Sequence, residues 1–232
     1  MSASSIIKNA LKDGRDRLLA PEALELCRLY DIPIAEWQFA EDAEEAAKLS
    51  KKIGFPVAMK IVSPEVVQKS EVEGVVLGLR NSREAKARFT KLKDSFKGSG
   101  RGTFLGVVLQ EQVEAGLEAI VGAFHDPQFG PCVMLGLGGA LAELVPEVTF
   151  RLIPTEKDDA TSMLSDVAGG RLLTGLSGHL HIDRETLIRI ILSVSKMMTE
   201  LEELSSLELN PVILHEDRGV VVDAKAYLKK VN

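Results

Sequence analysis

The chain has 232 residues, 45% of them hydrophobic, so it is long enough to bury a core without disulfides or structural metals. Its formal net charge is −6 and its basic residues are scattered, which argues against nucleic acid or an anionic membrane as partners. No apolar run approaches the roughly 20 residues of a membrane-spanning helix, and we expect a cytoplasmic enzyme or subunit.

The two cysteines of the chain give no sign of a metal site or a disulfide. Cys27 and Cys132 are far apart and lack the spacing of zinc ligands. We therefore expect both to be small buried hydrophobic residues.

The order of predicted elements is mixed rather than regularly βαβ. In the first half we expect a helix within 16–30, a strand at 32–40, a helix at 41–54, strands at 55–62 and 74–80, and a helix at 82–96. In the second half we expect a strand at 104–113, a strand pair at 118–126 and 131–139, helices at 156–167 and 184–204, and a closing hairpin of 207–214 and 219–228.

Antiparallel hairpins dominate the second half, and the glycine-rich stretch at 98–103 is a candidate boundary between lobes. The pattern predicts an α+β fold of two lobes with a cleft between them.

The closing hairpin carries the strongest chemical signal. Glu208 and Asn210 share one face of a strand by the period of two, and Asp223 lies on the returning strand. Three oxygen donors of this kind suit Mg²⁺, which takes one or two protein ligands together with water and phosphate oxygens. A plain strand end beside a solvated aspartate is the alternative.

Lys60 is a second signal, because it lies within the apolar strand FPVAMKIV and a buried lysine requires an anion. A nucleotide phosphate would serve, whereas a lysine that reaches solvent is the alternative. The following loop offers Lys69, Ser70 and Gly74 as phosphate donors. The P-loop motif GxxxxGK[ST] is absent.

Each of the other candidate site residues has both a functional and a purely structural interpretation. Glu111 and Glu118 either contact a nucleotide or are surface acids, and the glycines of GLGG at 136–139 either approach a ligand or form a tight corner. Arg151 either stabilises charge on a transferring phosphoryl group or forms a structural ion pair.

A family resemblance rests on three segments that span nearly the whole chain. GFPVAMKIVSPEVVQKSEVEGVVLGL, VVLQEQVEAGLEAIVGAFHDPQFGPCVMLGLGGALAELVPEVTFRLIP and LELNPVILHEDRGVVVDAKAYL resemble the β subunit of archaeal-type ADP-forming acetyl-CoA synthetases. The last segment also resembles the magnesium-binding end of the succinyl-CoA synthetase β subunit.

The resemblance implies an ATP-grasp fold with the nucleotide in the cleft between the lobes. Residues 1–20 would form an N-terminal extension, 21–100 the small lobe with the phosphate loop, and 101–232 the large lobe with the magnesium-binding hairpin. The implied reaction converts acyl-CoA, ADP and phosphate to acid, ATP and CoA through a phosphohistidine. It uses Mg²⁺ and requires a CoA-binding α subunit in an α2β2 assembly.

The resemblance also implies roles for individual residues. Asn210 and Asp223 match the metal ligands, Glu208 an acid close to the docked phosphohistidine, and Arg151 a basic position of the family. In the nucleotide site, Lys60 matches the phosphate-binding lysine, Glu111 the acid near adenosine, and Glu118 an acid further into the cleft.

One departure from the family concerns the phosphate loop. The family typically has HKSDxGGV, with a histidine that carries phosphate, where this chain has QKSEVEGV, so that Gln68 replaces the histidine and Glu73 a glycine. The amide of Gln68 is not nucleophilic. Either Gln68 was introduced by engineering, or a histidine of the partner reaches the nucleotide directly, or full turnover is lost.

Loss of turnover would leave a nucleotide-binding regulatory or scaffold subunit, and an ATP-grasp carboxylate–amine ligase is a further alternative. A second departure is GLSG at 175–178, where relatives tend to have Gly-x-Arg-Gly.

Overall fold

The structure is a computed structural model that describes residues 2–66, 69–100, 102–144, 148–167, 173 and 182–229. The helices are α1 (Ala3–Lys12), α2 (Ala20–Leu29), α3 (Ala43–Ile53), α4 (Ser82–Gly98), α5 (Gly139–Leu144), α6 (Lys157–Asp166) and α7 (Arg184–Glu200), with a short 3₁₀ helix at Lys69–Val72. The strands are β1 (Trp37–Ala40), β2 (Val57–Val62), β3 (Val75–Leu79), β4 (Gly106–Glu111), β5 (Leu117–Asp126), β6 (Gly130–Leu137), β7 (Val148–Leu152), β8 (Leu204–Leu214), β9 (Gly219–Val221) and β10 (Ala224–Leu228).

The chain divides into two compact units, which we name by their sheets. The four-stranded unit comprises Leu19–Pro21 and Ala35–Glu114, and the six-stranded unit comprises Met1–Leu18, Glu22–Ile34 and Ala115–Asn232. The predicted boundary near 100 is therefore one strand too early, because β4 pairs with both β1 and β2 and completes the first sheet. The predicted extension at 1–20 is also largely part of the six-stranded unit.

The four-stranded unit packs helices on one face of an antiparallel sheet. The strand order is β1-β4-β2-β3, and α3 and α4 lie against each other and against the sheet. Both helices begin at side-chain caps, since Asp42 accepts from the N–H of Glu45 and Asn81 accepts from the N–H of Glu84. The buried core consists of alternate strand residues and the apolar helix faces: Val57, Met59, Ile61, Leu79, Val107 and Leu109 from the strands, and Ala46, Ala85, Phe89, Leu92 and Phe96 from the helices.

The six-stranded unit has the order β10-β8-β5-β6-β7, with β9 paired to the end of β8. All of its described strand pairings are antiparallel. Helix α7 packs against β5, β6 and β8 with an apolar face that includes Leu187, Ile190, Ile191 and Val194. The polar residues of β8 and β10 therefore lie on the opposite face of the sheet.

Most predicted elements are present, with differences at their ends. The strand expected at 32–40 covers only Trp37–Ala40, and the helix expected at 184–204 ends at Glu200. Helices α1 and α5 and strand β7 were not predicted. The signal for α1 is the capping box of Ser2 and Ser5 before three residues that are buried, Ile6, Ile7 and Ala10.

Within the described ranges, no helix is both long enough and apolar enough to span a membrane.

Candidate functional site

The closing hairpin brings Asn210 and Asp223 to directly facing positions. The β8–β10 register pairs Ala224 with Leu209, and the backbone N–H of Asn210 donates to the carbonyl oxygen of Asp223 at 3.1 Å. Cross-strand partners in an antiparallel pair project their side chains to the same face. The hairpin therefore pairs a residue that carries an amide with one that carries a carboxylate.

Glu208 fixes the orientation of the Asn210 amide. Asn210 Nδ2 donates to Glu208 Oε1 at 3.0 Å. A carboxylate only accepts hydrogen bonds, so the amide must present its nitrogen to Glu208 and its Oδ1 elsewhere. Asn210 Oδ1 and the Asp223 carboxylate are then two hard oxygen ligands of the kind that Mg²⁺ takes from proteins, and the residues present fit this metal.

Lys225 is a site residue that the sequence analysis missed. Its Nζ lies 3.6 Å from Glu208 Oε1, because Lys225 is the cross-strand partner of Glu208. The signal was present in the sequence, since Asp223, Lys225 and Tyr227 alternate on one face. Glu208 thus contacts both an amide and a cation.

A depression of about 340 Å³ adjoins this cluster on the same face of the sheet. Glu208 and Asn210 form part of its wall, together with Tyr227, Phe124 and Met134. Its floor includes Gly122, the cross-strand partner of Glu208, where an added Cβ would approach Met134 Cε to 3.1 Å. The polar cluster therefore borders a largely apolar recess.

Arg151 does not join this cluster. Its guanidinium donates to Ser162 Oγ at 2.7 Å and to the carboxylate of Asp166, both on α6. It is also the cross-strand partner of Val133, which is buried, whereas its neighbour Phe150 is exposed on the other face. Of the two interpretations of Arg151, the structural ion pair is the arrangement observed.

Lys60 is buried in the four-stranded unit, with 7% of its surface exposed. Its Nζ donates to Gln110 Oε1 at 2.6 Å, across the β2–β4 pairing. From the sequence we expected an anion beside a buried Lys60, and Gln110, a neutral partner, was not singled out. The signal for Gln110 was a polar residue within the apolar strand β4.

The backbone of Gly74 is occupied within the loop that follows β2. Its N–H donates to the carbonyl of Lys69 at 2.7 Å, and its own carbonyl accepts from Ile61 at 2.8 Å. A Cβ at Gly74 would come within 2.3 Å of Ile61 Cγ2, so close packing explains the glycine. The Gly74 N–H is therefore used within the loop, and the contact of Gly74 with a phosphate stays a prediction.

Glu73, at the position where the family has a glycine, has a φ of 51°. This is the left-handed region that favours glycine. Glu73 therefore has a backbone conformation that glycine adopts more readily. Gln68 lies outside the described residues, as do the side chain of Ser70 and the segment 175–178.

Glu65 ties the start of this loop to the segment before β4. Its carboxylate accepts from the N–H of Thr103 at 3.0 Å and from Ser63 Oγ at 2.8 Å. These hydrogen bonds, chiefly that from Thr103, hold the pKa of Glu65 below its usual value. A Cβ at Gly102 would collide with the Glu65 side chain, which accounts for that glycine.

The two remaining acids occupy different settings. Glu111 ends β4, and its N–H donates to the carbonyl of Glu36 at 2.8 Å. Glu118, in β5, packs against the glycine corner after β6: a Cβ at Gly139 would lie 3.0 Å from Glu118 Oε2. The GLGG segment is therefore a corner approached closely by Glu118.

Both cysteines are free and buried, as predicted. Burial raises the pKa of Cys27 to about 12 and also raises that of Cys132. The described residues contain no cluster of three or more His, Cys, Asp or Glu.

Comparisons with known proteins agree with this fold. The ATP-grasp domain family matches residues 9–228. The β subunit of acetate–CoA ligase [ADP-forming] I from Pyrococcus furiosus is 38% identical over 227 residues, which cover 97% of each chain.

Two solved structures of the acetyl-coenzyme A synthetase 1 from Ca. Korarchaeum cryptofilum are also similar. One has a TM-score of 0.93 at 38% identity and the other a TM-score of 0.86 at 37% identity. Each match covers 98% of this chain and 100% of the other. The chain belongs to the ATP-grasp family and, within it, to the β subunits of ADP-forming acyl-CoA synthetases.

Proposed function

We propose that the chain binds the magnesium–nucleotide complex in the reaction that converts acyl-CoA, ADP and phosphate to acid, ATP and CoA. The observation that carries this proposal is the facing pair of Asn210 and Asp223, with the amide held by Glu208. A second observation is the buried ammonium of Lys60. Nucleotide phosphates are the anions that such a lysine and such a metal site attract.

The proposed metal is Mg²⁺, with Asn210 Oδ1 and the Asp223 carboxylate as its ligands. When bound, Mg²⁺ would neutralise charge on the nucleotide phosphates. One of the similar Korarchaeum structures holds Mg-AMPPCP and has its phosphohistidine segment pointing towards the nucleotide binding site, which supports this proposal. We also keep Glu111, Glu118, Lys69 and Ser70 as proposed nucleotide contacts.

The phosphoryl donor in this proposal is a histidine of a separate CoA-binding subunit. The N–P bond of the phosphohistidine breaks and an O–P bond forms to the terminal phosphate of ADP, which leaves a histidine without phosphate. Glu208 would stand beside that ring, while Lys60 offsets negative charge on the nucleotide. Gln68 supplies no nucleophile, so this chain does not itself carry the phosphoryl group at that position.

We further propose an α2β2 assembly with that subunit, and a cytoplasmic location. Two free, buried thiols fit a reducing compartment.

The direct experiment mixes this chain with its CoA-binding partner and measures ATP formed from acetyl-CoA, ADP and phosphate. We expect ATP formation only with both subunits and Mg²⁺, and its loss with Asp223→Asn. A nucleotide-binding subunit without turnover is the second candidate, favoured by Gln68 in the phosphate loop. Binding of Mg·ADP by the isolated chain without ATP formation by the mixture would favour that candidate.

A further inference from the structure

Gln110 is the most completely buried polar side chain near Lys60. It lies in β4 with none of its surface exposed. The strand neighbours Leu109 and Met59 belong to the core beneath α3 and α4. Because side chains alternate along a strand, Gln110 and Lys60 lie together on the opposite face of the sheet.

The contact with Lys60 determines which way the Gln110 amide points. Lys60 Nζ is 2.6 Å from Gln110 Oε1, and an ammonium group only donates hydrogen bonds. The amide must therefore use its oxygen for Lys60. Its Nε2, which carries two N–H donors, has no hydrogen-bond partner in the part of the chain that the structure describes.

A fully buried donor of this kind is unusual. Most buried side-chain polar atoms in folded proteins have a partner, and one that lacks it costs free energy. The oxygen of the amide is explained by its contact with Lys60, whereas Nε2 would be satisfied by an acceptor that arrives with a ligand.

We infer that Gln110 is a nucleotide-binding and positioning residue. Its Oε1 holds the Lys60 ammonium in place, and its Nε2 donates to an oxygen of the nucleotide phosphate that Lys60 contacts. This inference rests on the proposed function, because it takes the anion at Lys60 to be a nucleotide phosphate. It adds Gln110 to the proposed nucleotide site as a neutral hydrogen-bond donor beside the charged donor Lys60.

The test measures the affinity of the full chain for Mg·ADP by isothermal titration. Gln110→Met removes both the acceptor and the donor without adding charge, whereas Gln110→Glu keeps an oxygen for Lys60, removes the N–H donors and adds a negative charge. We expect each variant to bind Mg·ADP at least about tenfold more weakly than the wild-type chain, which is the effect of losing one hydrogen bond to a charged group. Gln128→Met, an exposed glutamine in the β5–β6 turn, is the matched control and should bind as wild type does.

Thermal unfolding without nucleotide separates a binding role from a purely structural one. A structural role would lower the unfolding temperature of the variants and leave the Kd of the folded protein unchanged, which would overturn the inference. Wild-type affinity in Gln110→Glu would also overturn it, because the donor would then be unused. Failure of the wild-type chain to bind Mg·ADP would contradict the proposed function itself, and the inference with it.

Discussion

The carboxylate of Glu208 accepts a hydrogen bond from the side-chain amide of Asn210, two residues along the same strand, at 3.0 Å. The contact sets which atom of Asn210 is left for a metal ion. In metal sites such partners orient the ligands and tune their affinity. We therefore propose that Glu208 orients Asn210 in the site, in addition to any contact with a phosphohistidine.

Removal of this carboxylate should weaken metal–nucleotide binding. Glu208→Ala leaves Asn210 Nδ2 without its acceptor, and we expect the Kd for Mg·ADP to rise about 10- to 100-fold. Glu208→Gln retains an oxygen that can accept from Asn210 and should lose much less affinity. Isothermal titration of both variants checks this, and equal losses in the two would refute the orienting role.

Arg151 should contribute to folding rather than to nucleotide binding. Its ion pair with Asp166 and its hydrogen bond to Ser162 attach β7 to α6. We expect Arg151→Met to lower the free energy of unfolding by about 1 kcal/mol, as for a partly exposed ion pair with added hydrogen bonds. Urea unfolding measures this loss, and Mg·ADP affinity should stay at the wild-type level. A large loss of affinity in a folded variant would restore the catalytic interpretation.

Glu73 should be replaceable by glycine with a gain in stability. A left-handed residue other than glycine costs about 1–2 kcal/mol, and the added chain entropy of glycine cancels part of the gain, so we expect a net gain of about 0.5 kcal/mol for Glu73→Gly. Glu73→Val should be destabilising, because a β-branched residue tolerates this φ poorly. Urea unfolding of both variants should rank glycine above glutamate and glutamate above valine; equal stability of all three would contradict the observed φ.

Glu65 should make stability fall in acid. Its pKa is lowered in the folded chain, so its hydrogen bonds stabilise the protein above the usual glutamate pKa of 4.5. This contribution to the free energy of unfolding is lost as the pH falls through the lowered pKa of Glu65 in the folded chain. The stability difference between wild type and Glu65→Gln should be largest at neutral pH and disappear in acid, by urea unfolding across pH. A difference that does not change with pH would argue against these hydrogen bonds.

The closing hairpin could be predicted because its signals are local. Apolar and polar residues alternate on both strands, a polar turn joins them, and the facing of Asn210 and Asp223 follows from that register. Lys225 could have been found from the same alternation. A hairpin is largely specified by its own residues.

Features that depend on contacts between segments far apart in sequence could not be predicted from local sequence patterns. The unit boundary depends on the insertion of β4 between β1 and β2, which is a property of the whole sheet. Arg151 lies in strand β7, which was not predicted, and its contact with α6 depends on how β7 packs in the folded unit. Gln110 acquires its significance only from the side chain of Lys60, 50 residues away in sequence.

The most direct test of the account titrates the chain with Mn²⁺ in the presence of ADP, with the free Mn²⁺ followed by electron paramagnetic resonance. We expect one tight site in the wild-type chain. Asp223→Asn and Asn210→Ala should each weaken Mn²⁺ binding by about 100-fold, because loss of a direct ligand should cost at least as much as loss of a residue that only orients a ligand. Asp217→Asn, at an exposed acid in the β8–β9 turn, should bind as wild type does. Wild-type Mn²⁺ binding in Asp223→Asn and Asn210→Ala would contradict the assignment of the metal to this hairpin.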